Sequence, residues 1–206
     1  MNNSWNKVIY KIWSPIFDRF LNSGPFPNVR KGVFKNLSAK EDKKVLIVGV
    51  GTGLDLEYVD SSKFEITAVD LSPHMLREAK SKFSRTSITF LQMDAQNLKF
   101  DDDSFDYVVG SLILSVVPNA NQCFKEMTRV LKENGQLLIF DKFVPKNKSL
   151  TFVQRLIRPI IALLGTDIGL NFDKVIQNCN EGLEVKQDVP VMLNGMYRKI
   201  IVNKLA

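Results

Sequence analysis

The sequence predicts an α/β fold: a seven-stranded, mostly parallel sheet with helices on both faces and an antiparallel hairpin on its C-terminal side. Three observations carry this reading. Val45 to Val48 is an unbroken apolar run of β-formers, as expected of a central strand covered on both faces. It runs into Gly49-Val50-Gly51-Thr52-Gly53, a turn rich in residues that take positive φ without strain and let the backbone approach a ligand. Further apolar runs then alternate with helix-period segments as far as Phe140, the order that βαβ units produce.

Composition narrows the field. The chain has 206 residues, 45% of them apolar and 24% charged, which suits one well-buried core and is short for two. We therefore expect one domain over residues 1–206, with residues 1–40 as an N-terminal amphipathic helical cap. No apolar window reaches the roughly 18 residues needed to cross a bilayer, because Arg155, Arg158 and Pro159 interrupt the most apolar late stretch. The first residues lack the graded pattern of a secretory signal, and Cys123 and Cys179 stand far apart without a metal-ligand spacing. A cytoplasmic protein without a metal is expected. The net charge of +6 favours an anionic partner, yet the Lys and Arg residues are dispersed and no RNA-binding motif is present, so nucleic acid is not expected.

Taken in order, Trp5, Val8, Ile9, Ile12, Trp13, Ile16, Phe17, Phe20 and Leu21 share one face of a helix whose other face carries Lys7, Lys11, Asp18 and Arg19. That is the pattern of an interfacial membrane helix, and equally of a helix packed on its own domain or over an active-site mouth. Asn22 to Asn28 reads as a turn, Val29 to Leu37 as a short helix and Ser38 to Lys44 as a linker. After the glycine turn a helix should begin, its free N–H groups offered to a negative group. Glu65 to Val69 is the second strand, and Asp70 at its end lies about 20 residues beyond the glycines, where a carboxylate can accept from both hydroxyls of an adenosine ribose.

Ser72 and Pro73 start a helix as cap and first-turn proline, with Met75, Leu76, Ala79 and Phe83 inward. Ile88 to Gln92 is the third strand. Asp94 leaves it at the same sheet edge as Asp70, placed to meet an adenine amino group or simply to cap a turn. Phe105 to Ser111 is the fourth strand, and a second substrate should enter near Ser111 to Val117, since open α/β sheets bind ligands at this edge. Asn121 to Leu131 reads as a helix ended by a glycine stop in Lys132-Glu133-Asn134-Gly135, before the fifth strand, Gln136 to Phe140. Leu150 to Gly165 is an apolar helical segment broken by Pro159, and Asp167 to Asn180 another short helix. Leu183 to Val189 and Met196 to Val202 alternate as two strands joined around Asn194-Gly195.

A dinucleotide fingerprint would need glycine at position 54, where Leu54 stands, so the turn is not of that kind. VLIVGVGTG, AVDLSPHML, QMDAQNL, DDSFDYVVGS and RVLKENGQLLIFD instead resemble, in order and spacing, the motifs of class I S-adenosylmethionine-dependent methyltransferases, which have a Rossmann-like fold. Within that class the chain resembles the bacterial soluble phosphatidylethanolamine N-methyltransferases in the stretch from Tyr10 to Asp18, in LILSVVPNANQCFKEMTRVLK and in RLIRPIIALLGTDIGLNF. It departs at Phe17, where these enzymes and their quinone-methylating relatives often have Tyr, and at KENGQ, where KPGG is usual.

The resemblance implies S-adenosyl-L-methionine as cofactor. Gly49, Gly51, Thr52 and Gly53 would pass its methionine portion, Asp70 and Leu71 its ribose, and Asp94 with Ala95 its adenine. Met75 would pack on the adenine ring, Tyr10 would close from the N-terminal helix, and Ser111 completes the set. Tyr10 and Asp18 are the candidates for taking a proton from an amine acceptor. The expected function is methylation of a phospholipid headgroup amine at an anionic membrane surface. Methylation of a quinone or other small apolar acceptor is the alternative, and a non-catalytic cofactor-binding or interaction protein a third reading. No obligate protein partner is evident.

Overall fold

The computed structural model describes residues 22–35, 37, 43–146, 152–163, 165–179 and 182–206. The expected helix from Trp5 to Leu21, with Tyr10 and Asp18, lies outside them, as does most of the expected linker from Ser38. Seven strands, β1 (Lys43–Val48), β2 (Phe64–Asp70), β3 (Thr89–Gln92), β4 (Phe105–Ser111), β5 (Leu131–Lys142), β6 (Leu183–Met192) and β7 (Tyr197–Lys204), form one sheet in the order β3-β2-β1-β4-β5-β7-β6. The first five are parallel, and β7 runs antiparallel between β5 and β6.

The apolar run of β1 divides between two cores because successive side chains point to opposite faces. Val45 and Ile47 enter the core beneath helices α1 (Phe26–Phe34) and α2 (Pro73–Lys82), together with Phe26, Val33, Phe34 and Leu76. Leu46 and Val48 enter the other, beneath α3 (Ala120–Arg129) and α5 (Phe172–Gln177), with Phe124, Met127, Phe172 and Val175. A further helix, α4 (Phe152–Leu163), precedes α5.

Several boundaries differ from expectation for identifiable reasons. Helix α1 begins at Phe26, inside the expected turn, since Pro27 falls in its first turn where a missing N–H is harmless. The segment after Gly53 is a five-residue 3₁₀ helix, Leu54–Tyr58, and not an α-helix. Its N–H groups close i to i+3 bonds (Leu56 N–H to Gly53 O, Val59 N–H to Leu56 O), and the chain must reach β2 within a few residues. Helix α3 ends at Arg129, and the residue with positive φ is Asn134 rather than Gly135. Gly135 is instead required by close approach, because a Cβ there would lie 2.7 Å from Lys132 O where β5 shifts register against β4. Helix α4 runs through Pro159 unbroken. The proline lies in an exposed stretch, residues 155–160, so the helix bond it cannot make is lost at the surface and not in the core.

At the amino edge Asp106 clamps three strands: it accepts from Lys43 Nζ (2.9 Å), Lys44 N (3.0 Å) and Lys132 Nζ (3.2 Å). Burial opposes its charge, but the hydrogen bonds from Lys44, Lys43 and Lys132 outweigh this and pull the carboxyl down to about 2. Since the folded value lies below the unfolded one, this stabilisation is complete above the ordinary carboxylate range and is lost as pH falls from roughly 4 towards 2. Asp106→Asn should therefore flatten the loss of stability over that interval in urea titrations at each pH. Equal losses in the two proteins would show that the clamp contributes nothing.

Candidate active site

Strand order reverses between β1 and β4, so the crevice at the carboxyl ends of these strands is where an open α/β sheet takes its ligand. The glycine turn forms one wall. Gly49 N and Val50 N both donate to Val69 O at 2.9 Å, pinning the turn to β2. Asp70 completes the attachment from the end of that strand, one carboxylate oxygen accepting from Gly51 N (2.9 Å) and the other from Ser72 N (2.8 Å). Burial pushes the Asp70 carboxyl above its ordinary value, and the bonds from Ser72 and Gly51 hold it back.

The three glycines serve different ends. A Cβ on Gly51, at φ +55, would meet nothing within 4 Å, so the space above it is open. On Gly53 a Cβ would press against Phe83 at 2.9 Å, and on Gly49 against Ile113 at 2.6 Å. Gly53 therefore answers to the packing of α2 on the sheet, while Gly51 faces the cleft. Thr52 between them is buried.

Beyond Asp70, Leu71 O accepts from Gln92 Nε2 (3.2 Å), and Met75 and Ala95 are buried. Asp94 is a turn aspartate whose Oδ1 accepts from Gln96 N (2.9 Å) and Gln96 Nε2 (3.1 Å), while Gln96 Oε1 accepts from Asn119 N (2.9 Å). One side-chain link thus ties the loop after β3 to the cap of α3. Ser111, at the end of β4, is buried and its Oγ has no hydrogen-bond partner among the described residues.

Residues that sequence reasoning missed lie on the same edge. Arg30 projects from α1 and is 3% exposed; its Nε is 3.1 Å from Asp55 Oδ1, close enough for an ion pair but not aligned as a hydrogen bond. Among the described residues, Arg30 Nε and Nη1 and Asp55 Oδ1 are buried without hydrogen-bond partners. The available signal was a charged residue at helical spacing among Phe26, Val33 and Phe34. At the end of β5, Asp141 is fully buried and accepts from Ser115 N (3.2 Å) and Lys142 N (2.7 Å); burial raises its carboxyl against those bonds. Burial likewise lowers the Lys142 ammonium, which donates to Thr166 Oγ1, and lifts the Tyr197 phenol to about 12, with the Asp141 charge adding to the rise and Arg30 opposing it. Asp141 follows the apolar run of its strand, as Asp70 does, and that shared position was legible.

Buried polar groups are nearly always paired, so Ser111 Oγ, without a partner among the described residues on the strand next to β1 and its open Gly51, marks this edge as a polar ligand site. Donors for an anion, acceptors for hydroxyls and a side-chain-free passage fit a sugar-bearing amino acid derivative such as S-adenosylmethionine.

Fold and cleft together define a class I S-adenosylmethionine-dependent methyltransferase. The methyltransferase domain family matches residues 46–139. The phosphatidylethanolamine N-methyltransferase of Cereibacter sphaeroides is 32% identical over 158 residues, covering 75% of this chain and 76% of that protein. The chain belongs to the class I methyltransferases, and S-adenosyl-L-methionine is its cofactor. The demethylmenaquinone methyltransferase of Staphylococcus epidermidis is 37% identical over 120 residues, 56% of this chain and 50% of that protein, so the chain matches about half the length of that relative. Among solved structures, a chain from the complex of the Haloferax volcanii Trm112 methyltransferase activator with a methyltransferase superposes with a TM-score of 0.77 at 15% identity, covering both chains fully.

The misaligned pair behind the cleft yields a test. Arg30→Leu strands a buried carboxylate and should cost about 3 to 5 kcal/mol in urea unfolding, and adding Asp55→Leu should restore most of the loss. If single and double variants are equally stable, Asp55 does not depend on Arg30 for its charge.

Proposed function

We propose that this enzyme N-methylates the amine of a phospholipid headgroup, of the phosphatidylethanolamine type, while docked on an anionic membrane surface. The observation that carries this reading is the outer face of α4. Leu156 and Ile160 are 68% and 63% exposed, Ile157 is also exposed, and Arg155 stands among them. Apolar side chains flanked by cations suit the headgroup layer of an anionic bilayer. No helix among the described residues is long and apolar enough to cross a membrane, so this face would lie on one. Helix α4 is tied to the acceptor edge: Arg158 pairs with Asp167 at 2.8 Å, and Asp167 N donates to Ser115 O (2.7 Å) beside the end of β4. The similarity to a phosphatidylethanolamine N-methyltransferase over three quarters of both chains supports the same acceptor. Methylation of a quinone is the second reading, favoured by the likeness to demethylmenaquinone methyltransferases.

In this reading Asp70 accepts from the ribose hydroxyls with Leu71 beside it, and Asp94 and Ala95 border the adenine with Met75 beneath. Gly49, Gly51, Thr52 and Gly53 pass the methionine portion, and Ser111 meets it from β4. Tyr10 would close the site, and Tyr10 or Asp18 would take the amine proton. The cofactor supplies an electrophilic methyl, so no side chain must act as nucleophile. The chain's work is to hold the acceptor lone pair in line and to exclude water, worth up to roughly 7 to 11 kcal/mol in favourable intramolecular cases.

Asp70→Ala should weaken S-adenosylhomocysteine binding at least about tenfold by calorimetry, because hydrogen bonds to a charged acceptor contribute roughly 1.5 to 3 kcal/mol. Unchanged affinity would remove Asp70 from the ribose site. Incubation with methyl-labelled cofactor and total lipid extract should place label in phospholipid; label in quinone would favour the second reading. Leu156→Ser with Ile160→Ser alters only exposed positions, and it should sharply reduce sedimentation with anionic vesicles. Undiminished sedimentation would rule out α4 as the docking face.

A further inference from the structure

We propose that the cavity beneath the turn between β6 and β7 is a phosphate-binding subsite, which takes the phosphodiester of the acceptor's headgroup; this rests on the phospholipid reading above. The cavity has a volume of about 420 Å³ and is bordered by Pro145, Lys146, Asp188, Pro190, Met192 and Arg198, with Leu193 on its rim. Its chemistry centres on Arg198, which is 3% exposed. The guanidinium lies over the rings of Phe143 and Phe172 at 5.5 and 5.8 Å, and Asp188 receives both its Nε (2.8 Å) and its Nη2. Lys146 Nζ reaches the same carboxylate at 2.8 Å.

Two cations against one carboxylate leave one positive charge in excess, matching a phosphodiester monoanion. Burial opposes the Asp188 charge, but the bonds from Arg198 and Lys146 hold its carboxyl below the ordinary value, so it stays ionised and fixes both cations. Nη1 of Arg198 donates to no described residue, and Lys146 is half exposed, so donors remain for a ligand. Pro145, Pro190 and Met192 give the cavity apolar walls suited to the glycerol end of a lipid.

The location fits the reaction. Ser111 of β4 pairs with Phe140 of β5, and the next residue, Asp141, pairs directly with Arg198 of β7. With strands about 4.8 Å apart, Arg198 lies roughly 10 Å across the sheet from the end of β4. An amine held above the end of β5, one strand spacing from β7, lies within the reach of the two-carbon tether that joins it to the phosphate.

Sn-glycero-3-phosphoethanolamine and inorganic phosphate, each titrated into the full chain by calorimetry, test this directly. We expect saturable binding of the diester, tighter than that of inorganic phosphate, weakened at least about tenfold by Lys146→Glu and restored by Lys146→Arg, since a charge-assisted contact to phosphate is lost and regained. With phosphatidylethanolamine in neutral mixed micelles, Lys146→Glu should raise the KM for lipid at least about tenfold, leaving kcat and the KM for cofactor within about twofold. Absence of diester binding, or binding indifferent to Lys146→Glu, overturns the subsite. Tighter binding of inorganic phosphate assigns the cavity to free phosphate and overturns the headgroup role. Diester binding that depends on Lys146, in an enzyme that leaves phosphatidylethanolamine unmethylated, upholds the subsite and removes the lipid-acceptor reading instead.

Discussion

The geometry of the cleft hangs on how one carboxylate divides its two oxygens. Asp70 gives one to Gly51 N and the other to Ser72 N, joining the turn after β1 to the start of α2. Both loops leave the sheet edge with their orientation set by this side chain, and Val69 O fixes the turn a second time through Gly49 N and Val50 N. Asp70 is half-buried, and burial raises its carboxyl against these bonds, a cost that a site tolerates when a ligand adds further hydrogen bonds.

The features legible in the sequence are those encoded locally. The apolar run of β1, the glycine spacing, the Ser72-Pro73 start of α2 and the acid at the end of β2 are each contained in a few consecutive residues, and the fold follows from their order. The antiparallel hairpin was readable for the same reason, and its turn residues Leu193, Asn194 and Gly195 all take positive φ. What escaped depends on register and long-range packing. Arg30 meets Asp55 only because α1 lies over the 3₁₀ turn, and Arg198 meets Asp188 only through the pairing of β7 with β6. Neither partner can be found by reading along the chain. The glycine at 135 misled in the opposite sense: its residue type suggested a helix stop, whereas its role is close packing at a register shift between β4 and β5.

The two sides of the cleft differ in character. The side around Asp70 and Asp94 is built from backbone N–H groups and acids that cap their own turns, an arrangement suited to a ligand rich in hydroxyls. The side around the ends of β5 and β7 carries buried Asp141 and Tyr197 and half-buried Lys142, and the Asp141 charge acts on both of the others. Such a wall can discriminate among acceptors, since desolvated charges reject a ligand that leaves them unpaired more sharply than an apolar wall could.

One topological detail bears on how the molecule comes into being. β7 follows β6 in the chain yet lies inside it, flush against β5. Until that strand is synthesised, the β5 flank, with Leu137 and Ile139 along it, has no neighbour to complete its hydrogen-bond ladder. A ribosome-bound chain halted earlier would thus present a bare apolar margin, the kind of surface that recruits chaperones or sticks to another nascent chain.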